Sequence, residues 1–85
     1  MPDRVRVLLF STAREAVGRA DLARPIAPGG TPLRTFLDAL SLEFPRLRKV
    51  LGASRFVVNG EYVAGRDLVV RSGDEIAIHP PYSGG

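Results

Sequence analysis

Polar and apolar residues alternate at the start of "RVRVLLF" (Arg4 to Phe10), and valines open the run, which predicts a β-strand. Side chains alternate across a strand, so Val5, Val7 and Leu9 share one face while Arg4, Arg6, Leu8 and Phe10 share the other. The alternation stops at "TAREAVG", which reads as a short helical turn closed by Gly18. "DLARPIA" predicts a second strand, and Pro25 within it lacks an N–H and belongs on a sheet edge. The period then lengthens in "PGGTPLRTFLDALSLEFP", where Leu33, Phe36, Leu37, Leu40 and Phe44 recur at helical spacing and form one buried stripe. Thr31 is the expected N-cap, Pro32 suits the first helical position, and Pro45 ends the run. Arg34, Asp38 and Ser41 are expected on the solvent side of this helix.

Period-two patterning returns in "RFVVNGEYV", two strands joined by Asn59-Gly60, a pair that tolerates positive φ at both turn positions. "RSGDEIAIH" predicts a turn at Ser72-Gly73-Asp74 and a last strand in which Ile76 and Ile78 face the same way. The resulting order is strand, short helix, strand, long helix, strand, short strand, strand. It predicts an α+β fold of two layers with one main helix on one face of a mixed sheet. Parallel pairing of the first and last strands at the sheet centre makes this a β-grasp, the ubiquitin-like arrangement. Residues 1–79 form the expected domain, and residues 80–85 the expected extended tail.

A sheet with a helix on one side leaves the other side open, and an open face is ordinarily polar. If Val5, Val7, Leu9, Ile76 and Ile78 lie under the helix, the open face carries Leu8, Phe10, Ala77 and His79, with Val57 a further candidate. Leu8 and Phe10 on that face are either isolated exposed apolar residues, which are ordinary, or a surface for a protein partner beside the tail's exit.

Composition narrows the chemistry. The chain has 85 residues and no cysteine, which excludes a disulfide framework, a thiolate nucleophile and a cysteine zinc site. His79 is the single histidine, so neither a histidine metal cluster nor a serine–histidine–aspartate relay is expected, and metal ligands are expected to be none. Apolar runs fall short of a membrane span and the first residues lack a signal pattern, so a soluble cytoplasmic protein is expected. The net charge of +3 comes from eleven arginines and Lys49 set against nine acids. These are scattered and accompanied by only six aromatic residues, so nucleic acid is not an expected partner. Arg46, Arg48 and Lys49 read as a solvated basic cluster.

The segment "HPPYSGG" (His79 to Gly85) is where chemistry is expected. Pro80 and Pro81 cannot donate to a ladder, and each fixes φ, so they predict a stiff stem leaving the last strand. Pro80 to Gly85 can extend roughly 20 Å at about 3.3 Å per residue, enough to enter another protein's active site past Tyr82 and Ser83. Gly84 and Gly85 present bare backbone that fits a narrow channel and leaves the carboxylate open to attack. With a pKa of about 3.5 that carboxylate is ionised and unreactive at neutral pH. It needs activation, most simply as an acyl-adenylate, from which a sulfur nucleophile displaces AMP and leaves a thiocarboxylate.

Three segments give the chain a resemblance to the ubiquitin-like MoaD/ThiS family, specifically the MoaD-type small subunit of molybdopterin synthase. They are "LLFSTAREAVG", the spacing of the long helix, and "SGDEIAIHPPYSGG". Phe10, Arg14 and Glu15 match the family's motif after the first strand, with Ser11 where alanine is common. Gly73, Asp74, Glu75, Ile76, Ala77, Pro80, Pro81, Ser83, Gly84 and Gly85 match its ending, and His79 stands where an apolar or aromatic residue is frequent. The resemblance implies a sulfur carrier that is not itself a catalyst. An E1-like, MoeB-type enzyme would use ATP to adenylate Gly85, and a sulfur donor would convert it to the thiocarboxylate. The tail would then enter a MoaE-type large subunit and pass sulfur to cyclic pyranopterin monophosphate, building the dithiolene of molybdopterin. Two carriers per large-subunit dimer are implied, and no bound cofactor.

Carriers of this fold also serve tRNA thiolation, thiamin synthesis and cysteine synthesis, all through the same carboxyl chemistry. The Pro-Pro pair favours the molybdopterin type over thiamin carriers, while a tRNA-thiolation carrier shares it. A ubiquitin-like protein modifier, joining Gly85 to a lysine amine, and a noncovalent binding module are the alternatives of a different class. The expected site residues are Gly85 and Gly84 for the chemistry, and Leu8, Phe10, Arg14, His79, Pro80, Pro81, Tyr82 and Ser83 for docking.

Overall fold

The computed structural model describes residues 3–81. Seven strands and three helices follow one another as β1 (Arg4–Leu9), α1 (Ser11–Val17), β2 (Asp21–Pro25), β3 (Thr31–Pro32), α2 (Leu33–Glu43), α3 (Leu47–Leu51), β4 (Arg55–Val58), β5 (Glu61–Val63), β6 (Val69–Val70) and β7 (Glu75–His79). Five strands form one sheet in the order β2-β1-β7-β4-β5. β1 and β7 pair in parallel at its centre, Val7 opposite Ile76, and every other neighbour is antiparallel. This is the β-grasp that the patterning predicts. Pro25 ends the edge strand β2, where its missing N–H breaks no inner ladder.

One face of the sheet is sealed by the helices. Val5, Val7, Leu9, Ile76 and Ile78 are all buried, as are Phe56 and Val58, and they meet Leu33, Phe36, Leu37 and Leu40 of α2. Each such side chain removed from water stabilises the fold by about 1.5–3 kcal/mol. Gly18 closes α1 in the left-handed region at φ 86°, its N–H donating to the Arg14 carbonyl at 2.7 Å. At the β4–β5 turn, Asn59 (φ 51°) and Gly60 (φ 84°) both take positive φ, as the sequence pair requires.

The start of α2 differs from expectation. Thr31 is not its N-cap: Thr31 and Pro32 pair with Val70 and Val69 in a separate two-stranded sheet, and Pro32 is the capping position with no side-chain bond. The orphan amides at the helix start are met by backbone instead. Leu33 N–H donates to the Leu68 carbonyl (2.7 Å) and Arg34 N–H to the Arg66 carbonyl (2.9 Å). A distant loop thus does what a threonine hydroxyl ordinarily does. Ser41 is also on the buried side, its hydroxyl donating to the Leu37 carbonyl at 3.0 Å, which satisfies it without water. The short helix α3 is a further difference. It seats Leu47 and Leu51 in the core and leaves Arg46, Arg48 and Lys49 exposed, so the basic cluster lies on a helix of its own.

Gly30 makes that second sheet possible. It sits at φ +91°, and a Cβ there would stand 2.7 Å from Val69 Cγ1 and 3.0 Å from the Val70 carbonyl oxygen. Gly30→Ala is expected to destabilise the protein by about 1–3 kcal/mol. Gly29→Ala, in open space, is expected to be near neutral. Paired thermal melts check both.

Arg24 on β2 and Glu43 at the end of α2 form a bidentate pair, with Arg24 Nε donating to Glu43 Oε1 at 2.7 Å. The hydrogen bonds from Arg24 hold the Glu43 carboxyl below the usual carboxylate range, against a smaller opposing effect of burial and with added help from the opposite charge. A carboxyl that is more acidic folded than unfolded adds stability above the unfolded value and loses it as pH falls through the folded one. Glu43 is partly exposed, so the contribution is less than about 1 kcal/mol. Glu43→Gln is therefore expected to lower stability by that much at neutral pH. The difference should vanish in acid, where the protonated Glu43 is as neutral as the glutamine that replaces it, as urea titrations at the two pH values will read.

Candidate functional site

The open face carries a row of side chains that the register lines up across four strands. Leu8 on β1 lies opposite Ala77 on β7, Ala77 opposite Val57 on β4, and Val57 opposite Tyr62 on β5. Leu8 and Val57 are half-buried, Ala77 is 7% exposed and Tyr62 is 71% exposed. The apolar row therefore ends in an aromatic ring standing in solvent at the sheet edge. Exposed Arg6 and Asp21 pair beside it at 3.2 Å, a surface contact worth little energetically.

Next along the strands, Phe10 and His79 stack with ring centroids 4.4 Å apart and planes inclined by 10°. Phe10 N–H donates to the Ile78 carbonyl at 3.3 Å, continuing the parallel β1–β7 ladder up to the stack. A stacked pair of this kind contributes about 0.5–1.5 kcal/mol beyond its buried area. Phe10 is still 41% exposed, so the stack clamps the end of β7 while leaving part of the ring in solvent. Arg55 lies opposite His79 on the other side, at the first residue of β4. Beyond the clamp, Pro80 is half-buried and Pro81 exposed.

Of the residues expected to dock a partner, Leu8, Phe10 and His79 share this face and Pro80-Pro81 leave from its end. Arg14 is exposed on α1, whose Ala13 enters the core and which packs against α3, so it flanks the exit from the helix side. Tyr82, Ser83, Gly84 and Gly85 lie outside the described residues. Tyr62 and Arg55 were not among the expected residues. A legible signal for Tyr62 exists: a two-residue Asn-Gly turn pairs Val58 with Glu61, and hence Val57 with Tyr62. Among the described residues no three His, Cys, Asp or Glu side chains gather to hold a metal ion. Nor is any described helix long and apolar enough to cross a membrane. The arrangement is suited to holding an apolar protein surface while presenting the segment that follows His79.

The family model described as "ThiS family" matches residues 7–85. The chain belongs to the ThiS family. The match takes in the second half of β1, the Phe10–His79 clamp and the Gly84-Gly85 ending together. Among curated ThiS-like relatives, the molybdopterin synthase sulfur carrier subunit of Arabidopsis thaliana is 41% identical, over 95% of this chain and 82% of that protein. That of Dictyostelium discoideum is 30% identical over 100% of both chains. Among solved structures, SAMP1 from Haloferax volcanii superposes with a TM-score of 0.82 at 28% identity, covering 96% of this chain and 99% of that one.

Proposed function

We propose that this chain is the sulfur carrier of a molybdopterin synthase, with the Gly85 carboxyl as its loading point. The observation that carries the reading is the kinship with molybdopterin synthase sulfur carrier subunits, up to 41% identity, together with a family match that runs through Gly85. The geometry supports it from the other side, since an apolar docking face ends where the last strand hands over to Pro80 and Pro81.

In the proposed cycle the Gly85 carboxylate attacks the α-phosphorus of ATP on an activating enzyme of the MoeB type, forming an acyl-adenylate and releasing pyrophosphate. A sulfide-class nucleophile then adds to the acyl carbon and expels AMP, leaving the thiocarboxylate. In the large subunit, of the MoaE type, the sulfur moves to cyclic pyranopterin monophosphate, and water supplies the oxygen that restores the carboxylate. Catalytic side chains and ATP belong to these partners, and the carrier supplies the reacting atom, the stem and the docking face. Subunits 1 and 2 of the molybdopterin-converting factor of Helicobacter pylori form a protein–protein complex that contains a chain of this fold, with a TM-score of 0.67. As the family resemblance implies, two carriers would flank a large-subunit dimer, and the cycle would run in the cytoplasm.

The direct test is the intact mass after incubation with activating enzyme, ATP and a sulfide source. Exchange of one terminal oxygen for sulfur supports the reading, and an unchanged mass overturns it. A second reading is favoured by the likeness to SAMP1, a small archaeal modifier protein by name. As a modifier, the activated Gly85 would be captured by a lysine amine instead of by sulfur. Immunoblots of cells for high-mass conjugates of this chain separate the two.

A further inference from the structure

Charge is distributed unevenly over this molecule. Two segments close the end of the sheet at which β7 delivers Pro80. Residues 10–20 leave β1 through Phe10, which stacks on His79, and form α1. Residues 46–55 form α3, pack it against α1 and lead into Arg55, the strand neighbour of His79. Toward that end these segments hold Arg14, Arg46, Arg48, Lys49 and Arg55, with Glu15 as their one acid, while Arg19 lines a hollow with Arg4, Arg6 and Asp74 at the far end of the sheet. The rest of the chain holds seven basic and eight acidic residues, so this end is net +4 and the remainder net −1. All five cations are exposed. The ion pairs among the described residues, Arg6–Asp21, Arg24–Glu43 and Arg34–Asp67, all lie outside the two segments.

Resting on the sulfur-carrier reading, we propose that this cationic collar around the tail exit steers the chain onto a protein partner whose tail-receiving channel has an acidic rim. Screening decides what the collar acts on. At physiological salt the field of an exposed charge decays over about 8 Å. Six residues beyond His79 reach roughly 20 Å. The collar is therefore too far from an extended Gly85 to tune its reactivity, and it acts on the surface surrounding the channel mouth. The same end adjoins the row Leu8, Ala77 and Val57, an apolar surface that a phosphate backbone does not cover and a protein rim does. Complementary charge there raises the rate of encounter more than the final affinity.

Stopped-flow association of the labelled chain with the MoaE-type large subunit tests this. Raising NaCl from about 50 to about 300 mM is expected to slow association about tenfold or more and to change dissociation less than about twofold. The double variant Arg46→Gln, Lys49→Gln, both at α3 on the helix side, is expected to slow association about fivefold at low salt and to flatten the salt dependence. The variant Arg34→Gln, Arg71→Gln removes the same charge elsewhere and should stay within about twofold of the parent. Circular dichroism confirms that each variant is folded. Association insensitive to salt, or equal slowing by both variants, overturns the proposal while leaving the carrier reading intact. Binding of a fluorescein-labelled tRNA transcript that the first variant abolishes also overturns it, in favour of nucleic acid. No complex at either salt with the folded parent removes the carrier reading and the collar's role with it.

Discussion

Deletion of Gly85 is expected to leave the protein folded and to abolish sulfur transfer. The core closes at Ile78, His79 and Pro80 are half-buried, and Pro81 is exposed, so the described packing fades out at the start of the tail. Removing one terminal residue should shift stability by no more than about 0.5 kcal/mol. The chemical effect is far larger. The new terminal carboxyl sits about 3.3 Å short of its former reach, and a misplacement of about 1 Å at a reacting centre already costs about 100-fold in rate. Loading by the activating enzyme and donation to the pterin are both expected to fall by at least that factor. Urea titration reads the first expectation; intact mass and pterin conversion read the second. A truncated chain that loads and donates sulfur at near-parental rates would refute the terminal-carboxyl mechanism.

Ile76→Ala is expected to show the reverse behaviour. Ile76 is fully buried on the central strand, between Val7 on one side and Val58 on the other. Truncating such a side chain costs about 2–5 kcal/mol, out of about 5–15 kcal/mol for a whole domain. At about 4–8 °C per kcal/mol for a chain of this size, the midpoint should fall by about 8 °C at least. Sulfur carriage by this variant should fail near its lowered midpoint and recover on cooling, because Gly85 and the docking face are unaltered. The Gly85 deletion should show no recovery on cooling. Thermal melts followed by loading assays at two temperatures distinguish damage to the scaffold from damage to the chemistry.

Much of the fold was legible because its signals are local. Alternation in Arg4–Leu9 and Glu75–His79, the stripe on α2, Gly18 and the Asn59-Gly60 turn each depend on residues a few positions apart. The misreading of the α2 start has its origin in contacts between segments distant in the chain, and that of Ser41 in a local one. Thr31 reads as a cap when only its neighbours are considered, but residues 66–70 arrive from the far side of the chain. They offer carbonyls to Leu33 and Arg34 and a strand partner to Thr31. Ser41 reads as exposed on a helical wheel, yet its hydroxyl is satisfied within its own helix and can be buried at little cost.

The candidate site divides in the same way. Its chemical end, the proline stem and paired glycines, is a matter of residue type and order, and no folding is needed to read it. Leu8, Phe10 and His79 could be assigned to a common face because side-chain alternation is a rule of the strand backbone. The stacking of Phe10 on His79, the row that runs on through Val57 to Tyr62, and the gathering of arginines from α1, α3 and β4 at one end required the assembled molecule. Periodicity determines which way a side chain points along its own element. Strand register and helix docking, which join residues tens of positions apart, decide what it meets there.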